Sequence, residues 1–240
     1  MSSTPTRRTP WLVPALIVGL AAVLVSVSVV LSGREDAADP AASPAPVADV
    51  VTPETAPTVD LTRLEADDPL AAGPVDAPVS LIVYSDYQCP FCASWAADTA
   101  PAMLDYAAAG DLRIEFRDIA VFGEDSRTAA LAAYAAGLQG RYLDFHDALF
   151  PEGVALPPRG LTDEALVATA DELGLDVERF TADMRSEEVA DAVQRNIDEA
   201  ATIGAFSTPA FLLAGQPILG AQPTDVFVTA VEQALSEAGA

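Results

Sequence analysis

The chain has no lysine, one histidine and only two cysteines among its 240 residues. All twelve basic residues are arginine and 36 are acidic, giving a formal charge of -24. That excess repels phosphates, so nucleic acid is excluded as a partner; it favours solubility and says nothing about fold. A structural zinc site takes four ligands, and Cys89, Cys92 and His146 supply at most three, so no metal site is expected. No internal repeat is present. The length suffices for one sizeable core, and one folded domain is expected.

Charge is also absent from residues 11–31, a run that as a helix would span about 30 Å, the thickness of a bilayer's hydrocarbon core. Arg7 and Arg8 precede it, while Glu35, Asp36 and Asp39 follow. Positive flanks stay inside, so residues 1–10 are expected in the cytoplasm, 11–31 as a single-pass anchor in the cell membrane, and the rest outside. A cleaved signal peptide is the rival reading, although its apolar region is normally shorter, about 7 to 15 residues. Residues 32–60, rich in Ala and Pro, show no 3.6- or 2.0-residue apolar period and read as a flexible tether.

From there the pattern becomes regular. Residues 79–85 are β-branched and aromatic and suit a buried strand. Pro90 fits a helix's first turn, and the Ala-rich run to residue 109 reads as one helix closed by Gly110. Residues 112–119 alternate apolar with charged, the pattern of a half-buried strand, and strand, helix, strand argues for parallel pairing. A helical block follows over about 124–204, with N-caps at Thr162 and Asp176 and an apolar face of Val189, Val193, Ile197 and Ala201. Residues 210–214 and 217–219 read as a hairpin, and 225–234 as a last helix. The sum is an α/β domain over 61–240: β-α-β, helices, then β-β-α.

The two cysteines form Cys89-Pro90-Phe91-Cys92 in a segment expected outside the cytoplasm, where disulfides persist. A thiol at a helix N-terminus sees free N–H groups and the positive end of the dipole, which lower its pKa from about 8.5 toward 3.5 to 7.5. Cys89 is thus the expected nucleophile. Cys92, one turn further in and less exposed, is expected to resolve the mixed disulfide. Other readings remain. A structural disulfide here closes a very short loop and restrains little unfolded-chain entropy. A Cys-His hydrolase needs His146 beside Cys89, yet residues 143–147 form an amphipathic helical patch in which a packed or surface histidine is the commoner case.

Residues 73–79 (GPVDAPV), 84–92 (YSDYQCPFC) and 207–211 (STPAF) resemble the DsbA-like family of thioredoxin-fold proteins, and 141–150 (RYLDFHDALF) is similar to that family's helical insertion. The likeness runs from about Asp68 to the C-terminus. It implies a thioredoxin-like fold with a helical insertion, and a cis Thr208–Pro209 bond facing the cysteines. Thr208 and Pro209 would then dock an extended client segment, since Pro209 has no N–H and the Thr208 backbone is free to pair with it. It also supports a structural role for His146. One departure is visible. Thioredoxin-fold enzymes often carry a buried acid six residues before the first cysteine, where this chain has Val83. Asp86, nearer the motif, is expected to face solvent and is not assigned that role.

The function expected is oxidation of exported client proteins by dithiol-disulfide exchange, without metal or organic cofactor, by a monomer that passes electrons to a membrane redox partner held close by the tether. The same chemistry run as a reductase for clients such as apocytochromes is the alternative, because Phe91 gives the Cys89 thiolate neither charge nor hydrogen bond. An inert client-binding module is a further one. An isomerase is disfavoured because no dimerisation segment is seen.

Overall fold

The structure, a computed structural model, describes residues 59–239. The expected anchor at 11–31 and all but the last two residues of the tether lie outside the described residues. Among the described residues no helix is long and apolar enough to cross a membrane.

Five strands, β1 (Ala71–Ala72), β2 (Val79–Ser85), β3 (Leu112–Asp118), β4 (Ala210–Leu213) and β5 (Gln216–Leu219), form one sheet in the order β1-β3-β2-β4-β5. The central pair β2 and β3 is parallel, with Val83 opposite Phe116 and Ser85 opposite Asp118. β4 runs antiparallel to β2, and β5 antiparallel to β4. The α/β expectation therefore holds in strand order and direction. β1, two residues paired with Glu115 and Ile114, is too short to leave a sequence signal.

The helix expected from 91 to 109 is two: α1, Pro90–Asp98, and α2, Ala100–Ala109. Pro101 has no N–H and its ring crowds the carbonyl four residues back, so the first helix stops at Thr99. Gly110, at φ 91°, closes α2 in the left-handed conformation as expected. The helical block comprises α3 (Glu124–Gly137), α4 (Tyr142–Leu149), α5 (Asp163–Glu172), α6 (Val177–Met184) and α7 (Glu187–Thr202). The Thr162 and Asp176 side chains cap α5 and α6 through the amides of Ala165 and Arg179. On α7 the buried face runs Val189, Ala192, Val193, Asn196, Ala200, with Ala201 outside it. A strict four-residue spacing drifts off a 3.6-residue helix, hence the correction. Thr224–Ala238 is α8.

One face of the sheet carries Leu81, Val83, Ile114, Phe116, Phe211 and Leu213 into the main core. There Trp95 of α1 packs on Phe211 of β4 at 4.9 Å between ring centroids, and Phe211 meets Phe227 of α8 edge-on at 4.8 Å. These contacts seat the helix that begins at the motif. Among the glycines of the block the tightest site is Gly137, where a Cβ would lie 2.7 Å from the Pro69 carbonyl oxygen.

The other face corrects the half-buried reading of β3, all seven residues of which are buried. Arg117 reaches Glu115 and, at 3.3 Å, Glu199 of α7. Glu115 accepts the backbone N–H groups of Arg63 (3.0 Å) and Leu64 (2.8 Å). Tyr84 donates to Glu199 at 2.8 Å, and Arg63 bridges Glu199 and Asn196, both at 2.9 Å. Burial pushes the Glu115 carboxyl up, but the Arg63 amide, the Arg117 charge and the Leu64 amide outweigh it and hold it below its usual range. The charged half of β3 thus faces a paired polar layer under α7 and residues 61–68, not water.

Candidate active site

β2 ends at Ser85, and the turn through Asp86, Tyr87 and Gln88 delivers Cys89 to the N-cap of α1, with Pro90 in the first turn. The Cys89 N–H is held by the Asp86 carbonyl at 3.0 Å, and the Cys89 carbonyl accepts the amides of Cys92 and Ala93. Because β4 is antiparallel to β2, its N-terminal end meets the same edge of the sheet, and with it comes Thr208–Pro209, whose peptide bond is cis. The two segments meet through the Cys89 thiol, which donates to the Thr208 carbonyl at 3.2 Å. So the four expected residues Cys89, Cys92, Thr208 and Pro209 lie together, and the cysteines are unbonded thiols.

The electrostatics separate the two sulfurs. The Cys92 thiol, as hydrogen-bond donor, lowers the Cys89 pKa most; burial opposes it, and the Thr208 side chain and the amides of Cys92 and Phe91 lower it further, to about 6. The Thr208 hydroxyl has no other partner. Cys92 goes the other way: burial and the neighbouring Cys89 sulfur push it far above an ordinary thiol, against donors from the Ser85 side chain and the Asp86 backbone. A thiolate therefore forms on Cys89 near neutral pH and not on Cys92.

Exposure does not separate them. Cys89 and Cys92 are each 1 % exposed as whole residues, whereas Cys89 was expected to be the open one. The Thr208–Pro209 segment, some 119 residues on, covers it. Phe91 (65 % exposed), Phe122 (54 %) and Phe206 (71 %) are the only exposed aromatic side chains among the described residues. Phe91 follows from the motif; Phe122 and Phe206 lie in loops after β3 and before β4 that the topology alone brings to either side of it.

Asp86 is the second correction: it is fully buried. Its carboxylate accepts from the Gln88 amide (2.8 Å), the Ser126 hydroxyl (2.6 Å) and the Phe122 amide (3.1 Å). Asp118, at the end of β3, was missed because alternation read it as outward. It too is fully buried and accepts from the hydroxyls of Tyr87 (2.9 Å) and Tyr142 (3.1 Å). His146 packs against the rings of Tyr87, Phe116, Tyr142 and Phe150, with its Nδ1 3.4 Å from Asp147. No hydrogen bond joins His146 to Cys89, so the hydrolase arrangement is not formed. Among the described residues no cluster of His, Cys, Asp or Glu is arranged to hold a metal ion.

Burial lifts the Asp118 carboxyl to about 6; His146 and the hydroxyls of Tyr87 and Tyr142 hold it down, and Asp86 pushes it up. A carboxyl whose folded pKa exceeds its unfolded value favours the folded state below the unfolded pKa, and that stability is lost as pH rises through the folded value. From the usual 3.8 to about 6, the loss between pH 4.5 and 8 is about 2 kcal/mol. Asp118→Asn has no such loss, so its stability relative to wild type is expected to improve by about that amount between those pH values in urea unfolding. A difference independent of pH would show that Asp118 titrates as an ordinary carboxyl.

The sequence profile of the family described as Thioredoxin matches residues 65–233. A Na(+)/H(+) antiporter NhaA of Herminiimonas arsenicoxydans is 33 % identical over 202 residues, 77 % of this chain but 27 % of the antiporter. The chain thus spans about a quarter of the length of that relative. A probable disulfide bond formation protein D of Bacillus anthracis is 26 % identical over 148 residues, 60 % of this chain and 68 % of the relative. Among solved structures, a thioredoxin-like oxidoreductase from Silicibacter pomeroyi is 28 % identical, with a TM-score of 0.59, covering 70 % of this chain and 97 % of the other. Oxidised BdbD from Bacillus subtilis shares the fold at a TM-score of 0.62 and 24 % identity, over 70 % and 92 % of the two chains. The chain belongs to the thioredoxin family.

Proposed function

We propose that this chain is tethered to the membrane by residues 11–31 and forms disulfides in exported proteins outside the cytoplasm. The observation that carries the reading is the thiol of Cys89, the N-cap residue of α1, with its pKa lowered to about 6 and facing the Thr208 backbone. A thiolate of low pKa is a good leaving group. In the oxidising direction a client thiolate attacks Cys89 of the Cys89–Cys92 disulfide. The Cys92 sulfur leaves as thiolate and takes a proton, so that Cys89 is joined to the client. A second client thiolate then attacks the client sulfur of that bond, and Cys89 departs as thiolate with the client disulfide formed. The client has lost two electrons and the dithiol has gained them; a membrane redox partner removes them.

Ionisation of Cys89 also prepares the dock. A thiolate has no proton to donate, so the Thr208 carbonyl that held the thiol is released to accept an N–H of an extended client segment. Phe91, Phe122 and Phe206 provide apolar contact for residues beside the client cysteine. Arg7, Arg8 and the apolar run at 11–31 support the membrane position, as does the similarity to a stretch of longer chains that are antiporters. Relatives called disulfide bond formation proteins support the oxidising direction. Nothing in the proposed cycle requires a second copy or an added cofactor.

The reductase remains as second reading because of a magnitude. Lowering the Cys89 pKa from 9.0 to about 6 stabilises the reduced form by about 1.4 kcal/mol at pH 7, or about 30 mV. The span from thioredoxin to DsbA is about 150 mV, five times that. The test is the reduction potential of the full chain in glutathione buffers across pH. A value near or above about -150 mV at pH 7 supports the oxidase, and one near or below about -250 mV the reductase. The slope is expected to change near pH 6, from about 59 mV per pH unit, two protons per two electrons, to about 30 mV above it. A break near pH 9 would remove the low Cys89 pKa on which the reading rests.

A further inference from the structure

We propose that Asp86 is a positioning residue that latches the helical block to the catalytic turn and so fixes the wall against which a client segment lies; this rests on the exchange reading above. Asp86 is buried three residues before Cys89, and its two halves do different things. Its carbonyl takes the Cys89 N–H at 3.0 Å, and its backbone N–H faces the Cys92 sulfur. Its carboxylate reaches outward instead. Oδ1 takes the Gln88 amide and the Ser126 hydroxyl of α3, and Oδ2 takes the Phe122 amide. The Gln88 side chain then donates to Ser126 Oγ at 2.8 Å, which closes a ring between the residue before Cys89 and the first turn of α3.

A buried carboxylate is costly unless donors satisfy it, and three donors do so here. The requirement is specific to Asp. Asparagine has one acceptor oxygen, and its NH2 group would meet the Phe122 N–H donor to donor. What the latch holds is Phe122. The loops that carry Phe122 and Phe206 follow β3 and precede β4, on opposite sides of the β2 end that bears the motif. A client strand over Cys89 is therefore bounded by Thr208 on one side and by Phe122 on the other. The Thr208 side is fixed by β4 itself. The Phe122 loop is joined to the motif by Asp86.

The test compares two substrates of the full chain: glutathione, too small to reach the wall, and a cysteine peptide with an apolar residue beside the sulfur. The readout is the ratio of kcat/KM for peptide over glutathione, with peptide KM and kcat resolved separately. Asp86→Asn is expected to lower that ratio about ten-fold through peptide KM, the worth of one charge-assisted hydrogen bond. Phe122→Ala is expected to lower it similarly, and the double variant no further, because both remove the same wall. Multiplying effects in the double variant, or equal losses on both substrates, would overturn the proposal. If Asp86→Asn does not fold, Ser126→Ala carries the test, with an expected fall of about three-fold in the ratio and no change as the overturning result. Failure of the wild-type chain to exchange with either substrate would count against the exchange reading itself, a result distinct from all of these.

Discussion

Cys89→Ser is expected to abolish exchange with a cysteine-containing client, a loss of roughly a thousand-fold or more, while Cys92→Ser stalls the reaction halfway. A serine hydroxyl does not ionise near neutral pH, so no donor arrangement makes it a nucleophile or leaving group equal to a thiolate of pKa about 6. The asymmetry between the variants follows from the two environments. Cys89 keeps most of its amide and Thr208 contacts when Cys92 is replaced, although its largest stabiliser, the Cys92 thiol, is lost. Reduced Cys92→Ser is therefore expected to attack a client disulfide and hold it as a covalent adduct. A mass spectrum under non-reducing conditions reads that adduct directly. The inert binding module makes the opposite forecast, full client binding with Cys89→Ser and no client oxidation even by the wild type, so assays of client binding and oxidation in the wild type and both variants separate the readings.

Arg117→Met is expected to destabilise the domain by about 3–5 kcal/mol at pH 8, the largest loss foreseen for a residue remote from the sulfurs. Arg117 is fully buried, and its removal leaves Glu115 with the Arg63 and Leu64 amides and Arg113 at 3.9 Å, and Glu199 and Asp68 each with one cation fewer. The cost comes from the charges left behind and not from the worth of the intact pair, which desolvation largely offsets. It therefore depends on pH. The Glu115 carboxyl is held below its usual value, so its contribution is present above the unfolded pKa and lost as pH falls through the depressed one. Without Arg117 that contribution shrinks, so the gap to wild type is expected to hold from pH 8 to about 4.5 and to narrow as pH falls below that value. Arg117→Met with Glu115→Gln should recover part of the loss at pH 8. A single-variant effect below about 1 kcal/mol in urea unfolding would mean that water reaches this layer and that it is not a buried network.

The network explains why β3 was misread. Strict alternation of Leu112, Ile114 and Phe116 with Arg113, Glu115 and Arg117 is what a sheet with one wet face produces. The same pattern results when the second face is covered by polar partners. Those partners are remote: Arg63 lies 52 residues before Glu115, and Glu199 lies 82 residues after Arg117. Asp86 and Asp118 were misjudged for the same reason, since a carboxylate's burial depends on whether Ser126, Tyr87 and Tyr142 bring donors to it.

What the sequence by itself determined was local. β-branched residues gave β2, Pro90 and Gly110 bounded the helical run, side-chain caps marked α5 and α6, and C-x-x-C at a helix start named the chemistry. Each signal acts within a turn or two of chain, where covalent geometry and the nearest hydrogen bonds decide the conformation. Pro101 belonged to that local kind, and the break it causes was legible. Tertiary structure alone decided which groups lose contact with water. It placed Thr208 over Cys89, set Phe122 and Phe206 on either side, buried both faces of β3 and gathered Asp118, Tyr87, Tyr142 and His146 behind the motif. Burial, and with it pKa, is a property of what packs on a residue from elsewhere in the chain, and no spacing within the residue's own segment records it.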